Sequence, residues 1–220
     1  MTAYNHKNLP SQIPVFPLNG TLLLPGGRLP LHIFEPRYLD MINSALKKDG
    51  LFGMVQTKAL EHQSLPKTNL LYPIGCLGEI AEVTELDNGG LDIIVLGITR
   101  YKILMEVEDT TPYRQVMVDY KPFNQDFKLL KNLKKGGRQK LLKIVDRYMA
   151  KQGLSLNKST LKELGDGELV IALAMLCPFD SAEKQALLEN HGINKGVETL
   201  SALMEFAIAD IDDISKVAQH

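Results

Sequence analysis

The stretch LPLHIFEPRYLDMI, Leu29–Ile42, decides how this chain folds around its first helix. An apolar run reaches Phe34, Pro36 follows almost at once, and apolar residues then recur at helical spacing. Proline is favoured in the first turn of a helix, because an N–H at that position has no intrahelical partner. The stretch therefore predicts a strand that ends just before a helix beginning at Pro36. We expect the carboxylate of Glu35 beside the free amides of that helix, and Arg37 paired with Glu35 or with a nearby acidic residue.

The helix that begins at Pro36 is predicted to extend to Lys48. Gly50 follows it, and glycine commonly ends helices because it adopts positive φ without a steric penalty. In the preceding strand, Leu31 and Phe34 are expected in or near the core. This pattern favours a structural role for the junction between strand and helix over a role as an active site.

The sequence around this helix, from Ile13 to Phe123, has the character of β-strands. Its runs are rich in β-branched and aromatic residues, and several alternate apolar with polar residues, which is typical of a strand with one buried face. Asn88 and Gly89 separate two of these runs and predict a hairpin in which both turn residues take positive φ. The runs are Leu51–Thr57, Gly75–Leu86, Leu91–Gly97, Arg100–Glu108 and Tyr113–Tyr120.

After Phe123 the pattern becomes helical and richer in Leu and Ala. Pro178 separates two helical segments, and Asp180 with Glu183 predicts a capping box at the start of the second. A last helix is predicted over Lys195–Ala209. The chain is therefore predicted to end in a helical region.

We predict an α+β protein with two lobes. A β-rich lobe is expected over residues 11–123 and an α-helical lobe over residues 124–210, with flexible termini at 1–10 and 211–220. The length of 220 residues is sufficient for one large domain or two small ones with a hydrophobic core.

Composition and charge are those of an ordinary globular protein. The net charge is −1, so no overall field attracts nucleic acid or an anionic membrane. Cys76 and Cys177 lie far apart in the sequence and are expected to be reduced and buried. The longest apolar run, Leu169–Cys177, has nine residues, whereas a membrane span needs about twenty. We expect a soluble cytoplasmic protein with no secretory signal and no membrane segment.

Patterns that accompany catalysis or metal binding are absent from the sequence. It contains no phosphate-binding GxxxxGK[ST] segment, no G-x-S-x-G nucleophile elbow and no zinc-like cysteine and histidine spacing. His32 is expected on the polar face of its strand. The basic segment 128–151 has Tyr148 as its only aromatic residue, which disfavours single-strand nucleic-acid binding by base stacking. We expect no catalytic residues, no metal and no cofactor.

Several segments together resemble the N-terminal substrate-recognition domain of Lon proteases, the LON domain. Their order and spacing match the family over roughly residues 11–206. The segments are Ile13–Gly26, Leu29–Ile42, Leu51–Val55, Tyr72–Ile80, Leu91–Ile103, Pro112–Tyr120 and Leu173–Glu189.

This resemblance implies a PUA-like β-barrel lobe followed by an α-helical lobe. It also implies capture of unfolded or degron-bearing protein without catalysis. The chain resembles the short stand-alone bacterial members, which have neither the ATPase nor the Ser-Lys protease domain. The expected partners are unfolded or extended polypeptide and a separate ATP-dependent protease. The resemblance does not indicate an oligomeric state.

The residues expected to contact a peptide are aromatic residues near strand ends, namely Phe34, Tyr38, Tyr101 and Tyr113. The motif residues expected to have structural roles are His32, Glu35, Pro36, Arg37, Gly75, Gly97 and Arg100. Two alternatives remain open from the sequence. One is an RNA-binding PUA-like protein, and the other is a hydrolase with an unrecognised site.

Overall fold

A computed structural model describes residues 4–5, 7–58, 70–108, 110–128, 132–154, 158–190 and 192–217 of the chain. The strands in this part are β1 (Gln12–Pro17), β2 (Arg28–Ile33), β3 (Leu51–Val55), β4 (Ile74–Glu85), β5 (Leu91–Val107) and β6 (Gln115–Asp119). The α-helices are α1 (Pro36–Leu46), α2 (Gly137–Lys151), α3 (Lys158–Glu163), α4 (Asp166–Leu176), α5 (Ser181–Glu189) and α6 (Gly192–Val217). A 3-10 helix, Lys121–Phe127, follows β6.

The six strands form one mixed sheet in the order β2-β5-β4-β3-β1-β6. β1 and β3 run parallel, and the other pairs are antiparallel. The long strand β5 pairs with β2 over its first residues, Leu91–Leu96, and with β6 over Lys102–Val107. A mixed sheet with helices confirms the predicted α+β class.

All five predicted strand runs lie on strands of the sheet. Two of them, Leu91–Gly97 and Arg100–Glu108, join into the single strand β5. The predicted helix also forms, with Pro36 at its first position and Gly50 just beyond its end at a φ of 71°. The Gly50 N–H donates to the carbonyl of Ala45, as in a helix C-cap.

The predicted hairpin between β4 and β5 also forms, but its predicted turn geometry is wrong. The N–H of Leu86 donates to the carbonyl of Gly90, so three residues make the loop. Gly89 has a φ of 80°, whereas no described non-glycine residue, Asn88 included, has positive φ. The loop thus consists of a turn followed by a glycine in the left-handed conformation, which is the usual arrangement in a three-residue hairpin loop.

The chain forms two compact units. The sheet unit consists of Met1–Leu129 with Pro178–Leu188, and the helical unit consists of Leu130–Cys177 with Glu189–His220. The segment Pro178–Leu188, which lies in the range predicted for a helical lobe, is therefore part of the sheet unit.

The hydrophobic core of the sheet unit is formed by side chains from several strands of its sheet. Its inward side chains come from strands that are distant in sequence, because β1 pairs with both β3 and β6, and β6 pairs with β5. The buried cluster is Leu9, Ile13, Val15, Leu51, Val55, Leu77, Tyr101, Val116, Val118 and Tyr120.

The helical unit is organised around α6, which packs against α2 and α4. Buried residues recur along α6 at Leu200, Met204 and Ile208, with the four-residue spacing of one helix face. Arg138 of α2 pairs with Asp166 at the start of α4, with 2.8 Å between Nη1 and Oδ1. This ion pair joins two helices of the unit.

Candidate functional site

The junction of β2 and α1 has the predicted order of strand and helix, but the Glu35 side chain makes no capping hydrogen bond to the free amides of the helix. Glu35 occupies the N-cap position in an extended conformation, and its carboxylate accepts from Arg37, with 3.0 Å between Nε and Oε2. The guanidinium of Arg37 also lies 4.5 Å from the centroid of the Tyr38 ring. Both charged side chains are exposed, so the pair contributes about 1 kcal/mol at most. The junction is a local joint between a strand and a helix.

Phe34 is 65% exposed, so the expectation that it lies in or near the core is wrong. Along β2 the residues Arg28, Pro30 and His32 face solvent, and Phe34 continues this alternation. Its ring lies 5.8 Å from that of His32, whose Nδ1 is 2.8 Å from an Asp92 carboxylate oxygen. Phe34 therefore remains available for contact.

Tyr101 cannot contact a peptide, so this predicted contact is wrong. Its exposed fraction is 0%, and its hydroxyl donates to the carbonyl of Met54 over 3.1 Å. Burial raises the pKa of its hydroxyl well above the usual value. A Cβ at Gly75 would overlap the Tyr101 hydroxyl, which explains the glycine at this motif position. The alternation of β5 turns Tyr101 inward.

Tyr38 is also buried, at 7% exposure, so it is wrong as a peptide contact. Its ring centroid lies 4.2 Å from that of Phe16, and burial raises the pKa of its hydroxyl. Tyr38 therefore has a packing role.

The motif residue Gly97 also has a packing role. A Cβ at this position would overlap the backbone of Leu24, because the loop before β2 crosses β5 closely.

Arg100 makes the densest polar contact in the sheet unit. Its guanidinium donates to Asp126 through Nε at 2.9 Å and Nη2 at 2.6 Å, and its Nη1 donates to the carbonyl of Leu188 at 3.1 Å. The backbone N–H of Arg100 also donates to Asp126, and the cation lies over the Phe123 ring. Arg100 thereby joins β5, the 3-10 helix and α5.

Helix α5 presents further buried polar residues to the sheet. Lys184 Nζ donates to the carbonyl of Gly20 at 2.6 Å, and Gln185 Nε2 donates to the carbonyl of Ile74 at 3.1 Å. Gln56 Nε2 donates to the carbonyl of Ser181 at 3.0 Å. The sequence did not reveal these roles, because Lys and Gln on a helix are usually solvated.

Tyr113, the fourth predicted contact residue, is half-buried and lines a groove. The groove encloses about 580 Å³ between α1 and the loop before β6. Its walls are mostly polar, and they are formed by Asp40, Asn43, Ser44, Lys47, Thr111, Pro112 and Tyr113. Phe34 is not among the lining residues, so the groove brings together only one of the four predicted contacts.

Among the described residues, no three His, Cys, Asp or Glu side chains lie where they would hold a metal ion. Among the helices so described, none is long and apolar enough to cross a membrane. Cys76 and Cys177 are both buried. Burial raises the pKa of the Cys76 thiol well above its usual value, so this thiol is un-ionised at neutral pH.

The comparison with known families is decisive for classification. Residues 12–205 match the family model of the ATP-dependent protease La (LON) substrate-binding domain. The chain belongs to the LON substrate-binding domain family. This confirms the resemblance found in the sequence, and the match spans residues of both compact units.

Curated relatives of this LON domain are much longer proteins. A Lon protease of Parabacteroides distasonis is 33% identical over 118 residues, which cover 52% of this chain and 14% of that protein. A Lon protease of Buchnera aphidicola subsp. Schizaphis graminum is 24% identical over 217 residues, which cover 95% of this chain and 26% of that protein. The chain thus corresponds to about a quarter of these relatives or less.

Solved structures share the fold of this LON domain. A Lon N-terminal domain protein from Xanthomonas campestris has a TM-score of 0.62 at 20% identity, covering 88% of this chain and 98% of that one. The N-terminal domain of a Mycobacterium avium complex Lon protease has a TM-score of 0.56 at 16% identity, covering 90% and 98%. At these identities the likeness concerns the fold alone.

Proposed function

We propose that this LON domain is a non-catalytic polypeptide-binding module that captures unfolded or degron-bearing protein. The observation that carries the proposal is the match of residues 12–205 to a family described as the substrate-binding domain of Lon. Capture of extended chains requires accessible apolar side chains or free strand edges. Phe34, Leu104 and Met105 of the sheet unit are exposed and meet the first requirement.

The proposal extends to the architecture of the sheet unit, which we propose to be a PUA-like barrel. The ladder runs from β1 through β3, β4 and β5 to β6, and β6 pairs again with β1. Over part of its length, each of these strands thereby has a neighbour on both sides, and this supports closure of that part of the sheet.

We further propose that the module works with a separate ATP-dependent protease as an adaptor. The support is the match of residues 12–205 to a family described as the substrate-binding domain of an ATP-dependent protease. In this proposal the domain supplies recognition, and the separate protease supplies unfolding and hydrolysis.

RNA binding is the second candidate. The exposed cations Lys140, Lys143 and Arg147 lie along α2, and no described carboxylate forms an ion pair with any of them. Phosphate contacts by such residues would make RNA affinity fall steeply with salt, because bound counterions are released.

Fluorescence anisotropy separates these two candidates. A labelled, reduced and alkylated protein that cannot fold is titrated with the domain at low and moderate salt, alongside labelled single-stranded RNA. Saturable, salt-insensitive binding of the polypeptide alone is expected. Salt-sensitive binding of RNA alone would overturn the proposal in favour of the second candidate.

A further inference from the structure

Two strand edges border one part of the sheet. Residues Leu91–Leu96 of β5 pair on one side with β2 and on the other with the second half of β4. The pairing of β4 with β3 ends at Glu79, and Gly50 accepts one last bond from Ile80. In the described ranges, β2 and the second half of β4 therefore form the two outer edges here.

The β2 edge is interrupted by a proline. The N–H of Gly97 donates to the carbonyl of Gly27, so alternation along β2 turns the backbone groups of residues 29, 31 and 33 toward β5. The outward groups then belong to residues 28, 30 and 32. Pro30 is the middle one and has no N–H, which protects the edge against an added strand.

The β4 edge has no such interruption. The N–H of Leu86 donates to the carbonyl of Gly90, so even-numbered residues of this half of β4 face β5. The backbone groups of Val83 and Glu85 consequently point outward. Residues 81–85 are all exposed, and no described strand pairs with their outer side.

The side chains at the β4 edge select the chemistry of a partner. Val83 is opposite Ile93, which is 1% exposed, yet Val83 itself is 39% exposed because the sheet ends there. Glu82 pairs with Arg28, whereas Glu85 and Asp87 have no cation within salt-bridge distance among the described residues. The edge thus offers one apolar position flanked by carboxylates.

A second copy of the chain fits this edge poorly. Antiparallel pairing of two β4 edges would gather the carboxylates of Glu82, Glu85 and Asp87 of both copies along one short ladder. Like charges placed across neighbouring strands destabilise their pairing. A strand carrying Lys or Arg beside an apolar residue complements the same edge.

We propose that the outer edge of β4, Glu82–Glu85, accepts an extended, positively charged polypeptide segment as an added strand. The partner's backbone would bond to Val83 and Glu85, an apolar side chain would cover Val83, and its Lys or Arg side chains would meet Glu82 and Glu85. The proposal rests on the polypeptide-binding function proposed above and names its site and substrate class.

The test uses two labelled heptapeptides, TKTVKTT and TETVETT. Paired antiparallel with β4, each places its valine and its first charged residue on the face of Val83 and Glu85, and its second charged residue on the face of Glu82. Val83→Pro removes the outward N–H without touching the bonds between β4 and β5, whereas the matched control Val83→Thr keeps that N–H. We expect the wild-type chain to prefer TKTVKTT, Val83→Pro to weaken its binding about tenfold, and Val83→Thr to change it little. Glu85→Lys should weaken TKTVKTT and strengthen TETVETT.

The unfolded protein used above is titrated against the same variants. If Val83→Pro binds both the unfolded protein and TKTVKTT as tightly as the wild type does, the edge is not the site, although polypeptide binding stands. If the wild type binds none of the probes, both proposals fail. If Val83→Pro melts at a much lower temperature than the wild type, the Glu85→Lys variant provides the test instead. If Glu85→Lys prefers the same peptide as the wild type does, the β4 edge is not the binding site.

Discussion

Arg100 and Arg37 place the same guanidinium group in two different surroundings. The side chains of Arg100 and Asp126 are 6% and 8% exposed, while those of Arg37 and Glu35 are 54% and 44% exposed. Water screens the second pair and leaves it little net energy. Removing one member of the first pair leaves a charge buried without its counter-ion.

We therefore expect Arg100→Met to destabilise the sheet unit by about 3–5 kcal/mol, and Arg37→Met by less than about 1 kcal/mol. Urea unfolding at pH 7 measures both. Arg100→Met combined with Asp126→Leu should recover part of the loss, because no buried charge then remains. Equal losses for the two single variants would contradict this account.

Asp166 gives the helical unit a dependence on pH. Hydrogen bonds from Arg138, and then from the backbone N–H of Leu133, lower the pKa of its carboxyl below the usual value. The folded state therefore favours the ionised form more than the unfolded state does. This contribution is complete above the unfolded pKa of about 3.9 and is lost as the pH falls through the folded pKa.

We expect Asp166→Asn to lower the hydrogen-exchange protection of α2 amides at pH 7, because the ion pair to Arg138 is lost. At pH 3, below the unfolded pKa of about 3.9, the difference between variant and wild type should shrink, since protonation of this carboxyl then favours the unfolded state. Protection factors measured at both pH values check this. If the difference in protection is the same at both pH values, it does not come from the ionisation of Asp166.

At the scale of residues, the sequence predicted which side chains pair better than it predicted which side chains are exposed. The pairing of Arg37 with Glu35 is local and could be predicted. Tyr101 could also have been placed correctly, because it continues the buried alternation of Ile93 and Val95 along β5. The burial of Arg100 could not, since it depends on Asp126 and on a carbonyl of the distant helix α5.

At the scale of elements, Pro30 is expected to control association through β2. Pro30→Val restores an outward N–H at the middle of an exposed edge, so strand addition becomes continuous. We expect this variant to self-associate with rising concentration in sedimentation velocity experiments, unlike the wild type. The variant Pro30→Val/His32→Pro returns the interruption to the same edge and should not associate; if it does, the edge is not responsible.

The strand runs and the start of α1 followed closely from local chemistry, whereas α6 spans Gly192–Val217 and is longer at both ends than the predicted Lys195–Ala209. The capping box at the start of α5 is confirmed, because Asp180 and Glu183 exchange backbone-to-side-chain bonds of 2.8 Å. The turn before β5 was predicted incorrectly, since an Asn-Gly pair is compatible with more than one loop length. Its geometry depends on how β4 and β5 are registered, which the turn residues alone do not determine.

At the scale of the whole molecule, α5 belongs to the sheet unit although it follows most of the helical unit in sequence. We expect a chain ending at residue 129 to lose cooperative unfolding, because Gln56, Arg100 and the carbonyls of Gly20 and Ile74 lose their α5 partners. Thermal unfolding by circular dichroism checks this. Joining residues 178–188 back through a flexible linker should restore the transition, and failure to do so would contradict it.

The predicted change near residue 123, from a strand-like to a helical sequence pattern, marks where strands are followed by helices. It does not show which helix packs on the sheet, because Lys184 and Gln185 have the composition of a solvated helix face. Family membership and the α+β class followed from the sequence. The β4 edge required the register of three strands, which no single segment contains.

The return of α5 to the sheet also determines when this protein finishes folding during synthesis. The sheet unit lacks one of its helices until residue 188 has been made, 59 residues after residue 129. At about 5–20 residues per second, ribosomes take roughly 3–12 seconds over this interval. During that time the nascent sheet exposes surfaces that α5 later covers, so a cell would have to shield it from aggregation.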